Sequence, residues 1–136
     1  MEYRSESEET TLALGAQLAR RLVPGDTVLF YGELGAGKTT MIRGLLRALG
    51  HEDPVRSPTF NLIQTFPTNP PVMHADLYRL RSADGIGLDD YAETHISLIE
   101  WPTRLGPLLD QEACYRVTIE FEDASRIIHI EPPLSS

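Results

Sequence analysis

The sequence predicts an α/β fold in which a mixed sheet lies between two layers of helices. Near the start of the chain an apolar strand leads into a glycine-rich loop, and an amphipathic helix follows directly. Further along, short apolar runs are separated by turn residues, and the last two of them form a pattern typical of a β-hairpin. These observations together favour a three-layer α/β/α arrangement with parallel and antiparallel strands and a C-terminal hairpin.

Length and composition predict one globular domain spanning residues 1–136. The chain has 136 residues, of which 41% are hydrophobic and 24% charged, as in ordinary globular proteins. A chain of this length buries about two thirds of its surface on folding, so a second domain is not needed to form a core.

The charge balance argues against a protein that binds nucleic acid directly. The sequence has twenty acidic and twelve basic residues, which gives a formal net charge of -8. Contacts to the phosphate backbone therefore cannot supply most of the affinity for a partner. No apolar run approaches the ~20 residues that cross a bilayer, and the first residues do not resemble a signal peptide, so we expect a cytoplasmic protein without membrane contact.

The first predicted element is an amphipathic helix from Ser5 to Leu22. Leu14, Leu18 and Leu22 recur every four residues and would form its buried stripe. Ser5 and Glu8 have the spacing of a capping box, which would start the helix at Ser5.

Strand and helix then alternate around the glycine-rich loop. Residues 27–31 form an apolar and aromatic run typical of a buried strand, and residues 39–50 have the pattern of a second helix. Residues 61–66 and 72–78 are predicted to pair as a hairpin, and residues 95–100 form another buried strand. Two final runs, 114–121 and 126–130, make the C-terminal antiparallel pair.

The segment GELGAGKT, Gly32 to Thr39, has the spacing G-x-x-x-x-G-K-[ST] between a predicted strand and a predicted helix. Glycines allow backbone N–H groups to converge on phosphates, and the helix N-terminus adds its positive dipole end. Lys38 is the only lysine in the chain. Its compact ammonium suits the β- and γ-phosphates of ATP, while the Thr39 hydroxyl suits Mg²⁺. The motif predicts a P-loop NTPase-like fold that binds ATP.

A nucleotide enzyme also needs a carboxylate near the metal and a group that orients the attacking water. Glu100 ends the apolar run ISLIE, and Asp76 follows a strand-like segment, so both could lie at the ligand-binding edge of the sheet. Asp76 would also suit a polar turn. Thr59, in the turn SPTF, could contact the γ-phosphate or be no more than a turn residue.

Six motifs in fixed order resemble one family. The segments ETTLALG, GELGAGKTT, VRSPTF, HADLYRL, GLDDY and LIEWP are similar to those of the bacterial TsaE (YjeE) ATPases of tRNA threonylcarbamoyladenosine synthesis. The resemblance implies a small ATPase that works with a heterodimer of the threonylcarbamoyl transferase TsaD and its partner TsaB. It would hydrolyse ATP to reset that complex and would meet tRNA only through it.

The resemblance also implies residue roles. Glu100 and Thr39 would hold Mg²⁺, Asp76 would position or deprotonate the attacking water, and Thr59 would belong to a switch-like loop. The phosphate site would comprise Gly32, Glu33, Leu34, Gly35, Ala36, Gly37, Lys38, Thr39 and Thr40, with Thr11 near the nucleotide.

Two other functions remain open from the residues alone. One is a small-molecule kinase, although the arginine-rich lid usual in P-loop kinases is not evident in the sequence. The other is a binding module that changes partners with ATP and ADP without hydrolysis. A GTPase is disfavoured, because the base-reading motif N-K-x-D requires a lysine beyond the one in the phosphate loop.

Overall fold

In the computed structural model, the residues described are 1–33, 36–51, 63–77, 91, 93–102 and 111–134. They form seven strands, two α-helices and one short 3-10 helix. In chain order these are β1 (Glu2–Ser5), α1 (Glu8–Ala19), β2 (Thr27–Gly32), α2 (Lys38–Ala48), β3 (Ile63–Phe66), β4 (Val72–Asp76), β5 (Ile96–Glu100), the 3-10 helix (Gln111–Ala113), β6 (Tyr115–Glu122) and β7 (Ser125–Glu131).

All seven strands belong to one mixed sheet in the order β1-β7-β6-β2-β5-β4-β3. The central strand β2 is parallel to both neighbours, β5 and β6, and β4 is parallel to β5. Strands β3 and β4 pair antiparallel, as do β6 and β7. The predicted α/β class, the mixed sheet and the C-terminal hairpin are therefore confirmed.

Helix α1 begins later than the sequence pattern predicts. Its N-cap is Ser7, whose side chain accepts a hydrogen bond from the Thr10 N–H, and the helix starts at Glu8. The capping box at Ser5 and Glu8 is wrong, because Ser5 is the last residue of strand β1 and its hydroxyl donates to the Ser7 carbonyl. The helix also ends earlier than expected, at Ala19.

Strand β1 is absent from the sequence prediction. Its four residues, EYRS, show no alternation of apolar and polar side chains, and only Ser5 is buried. The strand forms by pairing with β7 at the edge of the sheet, where Tyr3 lies opposite Ile128. A partner more than a hundred residues away in the chain therefore determines this element.

Both α-helices pack against the same face of the sheet and against each other. Their buried leucines join Val28 and Phe30 of β2 in the larger core cluster. The helices approach closely at two glycines: a Cβ on Gly15 would lie 2.1 Å from the Met41 carbonyl oxygen, and one on Gly44 equally close to that of Leu12. The second helix is thereby held tightly over the sheet by backbone contact.

The opposite face of the sheet carries a smaller apolar cluster. It includes Leu29, Met73 and Ile99, together with Cys114, which is a buried free cysteine. In the described ranges no α-helix covers this face, so the third layer of the predicted arrangement stays a prediction. Among the same residues, no helix is long and apolar enough to cross a membrane.

The contact between the helices predicts a large effect of Gly15→Ala. Alanine adds ~1 kcal/mol of helix propensity, but its Cβ meets the backbone of α2 and forces the helices apart. We expect the free energy of unfolding, measured by urea denaturation, to fall by about 2 kcal/mol. The exposed Gln17 of the same helix is the control, since Gln17→Ala should change it by less than about 0.5 kcal/mol. Equal stability of the two variants would contradict the close approach.

Candidate functional site

The glycine-rich loop, Gly32 to Thr39, is called the phosphate loop below. It begins where the central strand β2 ends, at the edge of the sheet formed by the carboxyl ends of the parallel strands. Gly32, the last residue of β2, has φ 149°, and a Cβ there would lie 2.7 Å from the Ile119 carbonyl oxygen. Glycine is therefore required both for the turn and for the contact with β6. Leu34 and Gly35 lie outside the described residues.

The loop ends at Gly37, which is the N-cap of α2 in a left-handed conformation with φ 115°. Among the residues that the structure describes, no side chain forms a cap hydrogen bond at this N-terminus, since the N-cap is a glycine. Such a terminus, with its positive dipole end, suits an anionic ligand. Lys38, Thr39 and Thr40 form the first turn of the helix and share this position.

Lys38 is buried, with 4% of its surface exposed. Its ammonium donates a hydrogen bond of 2.7 Å to the Gly32 carbonyl and lies 3.8 Å from the centre of the Trp101 ring. Burial lowers the pKa of this ammonium, whereas the negative charges of Glu100 and Asp76 act in the opposite direction. The structure thus brings one cation and two carboxylates together at the start of α2.

Glu100 and Asp76 come from neighbouring parallel strands and lie side by side in the register. Glu100 is buried, with 3% of its surface exposed, while Asp76 is half-buried. The Glu100 carboxylate contacts the imidazole of His74 at 2.7 Å. No role for His74 was predicted from the sequence, although the alternation of a strand through HAD places it on the same face as Asp76.

Oxygen donors suited to Mg²⁺ are present around the loop. The Thr39 hydroxyl follows Lys38 directly, and the Glu100 carboxylate is near the Lys38 ammonium. Within the described ranges, no group of three or more His, Cys, Asp and Glu side chains could hold a metal by itself. This donor set fits Mg²⁺, which is commonly held by one or two protein oxygens together with phosphates and water.

Thr11 is brought to the other side of the loop. It is buried, its hydroxyl is 2.7 Å from that of Ser5, and its methyl carbon would lie 3.8 Å from a Cβ on Gly37. A cavity of about 340 Å³ opens here, and its lining includes Thr11, Ala36, Gly37, Thr40 and Arg126. The cavity adjoins the phosphate loop, so it can accommodate a group attached to a bound phosphate.

Arg126 is a residue that sequence reasoning missed. It lies in β7, and its Nε–H donates to the Ala36 carbonyl at 3.2 Å, while its guanidinium carbon lies 4.2 Å from the centre of the Phe121 ring. Nothing in the local run RIIHI indicates this contact, because the hairpin reaches the loop only through the tertiary fold.

The remaining predicted site residues differ in their outcome. Glu33 is exposed at the start of the loop. Thr59 lies outside the described residues, as does the whole SPTF turn. The structure therefore gathers Lys38, Asp76 and Glu100 at one edge of the sheet, with Thr39 in the first turn of α2 and Thr11 beside the adjoining cavity.

Comparison with known proteins identifies the family of the chain. The family described as threonylcarbamoyl adenosine biosynthesis protein TsaE matches residues 5–128. The chain is 36% identical over 116 residues to the Mycobacterium tuberculosis tRNA threonylcarbamoyladenosine biosynthesis protein TsaE, covering 76% of this chain and 69% of that protein. The proteins of the same name from Rickettsia felis and Haemophilus influenzae are 42% and 36% identical. These matches cover 76% and 85% of this chain and 63% and 77% of the relatives, respectively.

A solved structure has the same fold. The crystal structure of Bacillus subtilis YdiB superposes with a TM-score of 0.82 at 28% sequence identity, covering 98% of this chain and 85% of that one. The family match extends from the end of β1 into β7 and therefore includes both helices, the phosphate loop and the two carboxylates. The chain belongs to the TsaE family of threonylcarbamoyl adenosine biosynthesis proteins.

Proposed function

We propose that this chain binds ATP and hydrolyses it to ADP and phosphate as the ATPase of tRNA threonylcarbamoyladenosine modification. The observation that carries the proposal is the buried ammonium of Lys38 at the N-terminus of α2, beside two carboxylates. Burying the ammonium of the only lysine costs free energy, and a bound anion would offset that cost. Adenosine would occupy the cavity lined by Thr11 and Arg126.

Each residue has a role in phosphoryl transfer to water. Lys38 and the N–H groups of the first turn of α2 bind the β- and γ-phosphates and offset negative charge as the terminal bond breaks. Asp76 orients the attacking water and accepts its proton, so that phosphate and ADP are released. The Thr39 hydroxyl and the Glu100 carboxylate would hold Mg²⁺, which supplies charge neutralisation of the phosphate oxygens when bound. Thr59 would belong to a switch-like loop.

The partners of this ATPase would be the transferase TsaD and its companion TsaB. The related proteins are named for tRNA threonylcarbamoyladenosine biosynthesis, which supports a place in that pathway. The net charge of -8 favours contact with tRNA through the partners rather than directly. Hydrolysis would reset the complex between turnovers, in the cytoplasm where we expect the chain to act.

Hydrolysis of ATP with and without the TsaB–TsaD pair tests this function. We expect slow Mg²⁺-dependent turnover by the chain alone and a strong increase with the pair, because the complex would complete or order the site. Asp76→Asn should retain ATP binding and lower turnover by about 10²-fold or more, the effect of losing a general base. Turnover that the pair leaves unchanged would contradict the proposal, and phosphate transfer to a metabolite would favour a kinase. Tight ATP-dependent association without any turnover would favour a non-hydrolysing switch.

Replacing Lys38 by methionine separates binding from stability. A lysine whose pKa is lower in the folded than in the unfolded state weakens the fold at neutral pH, because the unfolded chain binds the proton more tightly. Lys38→Met removes that buried charge at similar size, so we expect ATP binding to be lost while the melting temperature stays the same or rises. Calorimetric titration and a thermal melt measure the two effects. A melting temperature lower by about 5 °C, or roughly 1 kcal/mol, would contradict the assigned cost of burial.

A further inference from the structure

A buried contact between His74 and Glu100 lies next to the proposed hydrolytic site. The imidazole Nε2 and the carboxylate Oε2 are 2.7 Å apart, and the two side chains are 0% and 4% exposed. In the register of β4 and β5, His74 lies opposite Leu98, so the imidazole reaches diagonally to the residue two positions further along β5. The contact therefore joins two strands of the sheet at a single carboxylate oxygen.

The chemistry of the two groups determines the direction of this hydrogen bond. An ionised carboxylate only accepts hydrogen bonds, so Nε2 carries the hydrogen and donates it to Oε2. On the other side of the ring, the buried Nδ1 has no hydrogen-bond partner within the described part of the chain. Among the residues that the structure describes, the His74 side chain therefore has its hydrogen bond to Glu100 alone.

Stability alone does not explain this pair. His74 lies on the sheet face that packs against the helices, where its neighbours Val72 and Leu98 are apolar core residues. Buried polar pairs commonly stabilise a fold no more than apolar side chains of similar volume. The pair instead orients the Glu100 carboxylate, because a hydrogen bond to one oxygen restricts rotation of the whole group.

We propose that His74 is a positioning residue that fixes the Glu100 carboxylate for a divalent cation. The inference rests on the proposed function, since the cation concerned is the Mg²⁺ of the ATP complex. With His74 in place, the carboxylate is oriented before the nucleotide arrives, and cation binding costs less conformational freedom. His74 does not touch the nucleotide or the cation and acts only through Glu100.

Two amide variants distinguish positioning from simple packing. The amide nitrogen of His74→Gln can reach the place of Nε2 and donate to Glu100, whereas the shorter His74→Asn cannot. We measure ADP binding by calorimetry at increasing Mg²⁺ concentrations. The Asn variant should need about tenfold more Mg²⁺ for half-maximal enhancement, and the Gln variant should stay within a factor of about three of the original protein. Binding of ADP without Mg²⁺ should be equal in all three proteins.

A second pair of variants tests the route through Glu100. In a Glu100→Gln background, His74→Leu should cause no further change in the Mg²⁺ requirement, although it raises the requirement in the original protein. If His74→Asn does not fold, the comparison of His74→Leu in the two backgrounds still tests the inference.

Three results would overturn the inference. These are equal Mg²⁺ requirements of the Asn and Gln variants, equal losses of ADP binding with and without Mg²⁺, and additive effects of the His74 and Glu100 changes. If ADP binding by the original protein does not respond to Mg²⁺, the proposed function itself fails, and the role of His74 fails with it.

Discussion

The burial of one ammonium group is the constraint on which the site depends. Lys38 lies at the start of α2 with almost no solvent contact, and an unpaired charge in that position would cost several kcal/mol. Its hydrogen bond to Gly32, the face of Trp101 and the charges of two nearby carboxylates offset part of that cost. The pKa of the ammonium is nevertheless lowered, because the effect of burial exceeds that of the two carboxylates.

The groups around the Lys38 ammonium come together because four parallel strands end at the same edge of the sheet. Strands β6, β2, β5 and β4 lie side by side, and the last residues of β2, β5 and β4 are Gly32, Glu100 and Asp76. Helix α2 starts above this edge and is held there by its close contact with α1 at Gly15. The packing that forms the core therefore also brings Lys38 close to the two carboxylates. Behind Glu100, the buried imidazole of His74 contacts its carboxylate.

Local sequence patterns predicted the central part of the molecule and failed at its edges. The phosphate loop, the parallel strand ending at Glu100 and the hairpins depend on neighbouring residues, so spacing alone indicates them. Strand β1, the contact of Arg126 with the loop and the partnership of His74 arise from residues distant in the chain. The helix cap was misplaced because Ser5 and Ser7 are both good capping residues, and only the pairing of β1 with β7 decides between them.

The fluorescence of Trp101 tests most directly whether the Lys38 ammonium is a phosphate receptor. Trp101 is the only tryptophan in the sequence, and the ammonium lies over its ring. If a bound phosphate draws Lys38 away from the indole and from Gly32, ADP should cause a saturable change in emission. Adenosine, which lacks phosphate, should cause none. The account is contradicted if ADP leaves the emission unchanged, or if adenosine changes it as much as ADP does.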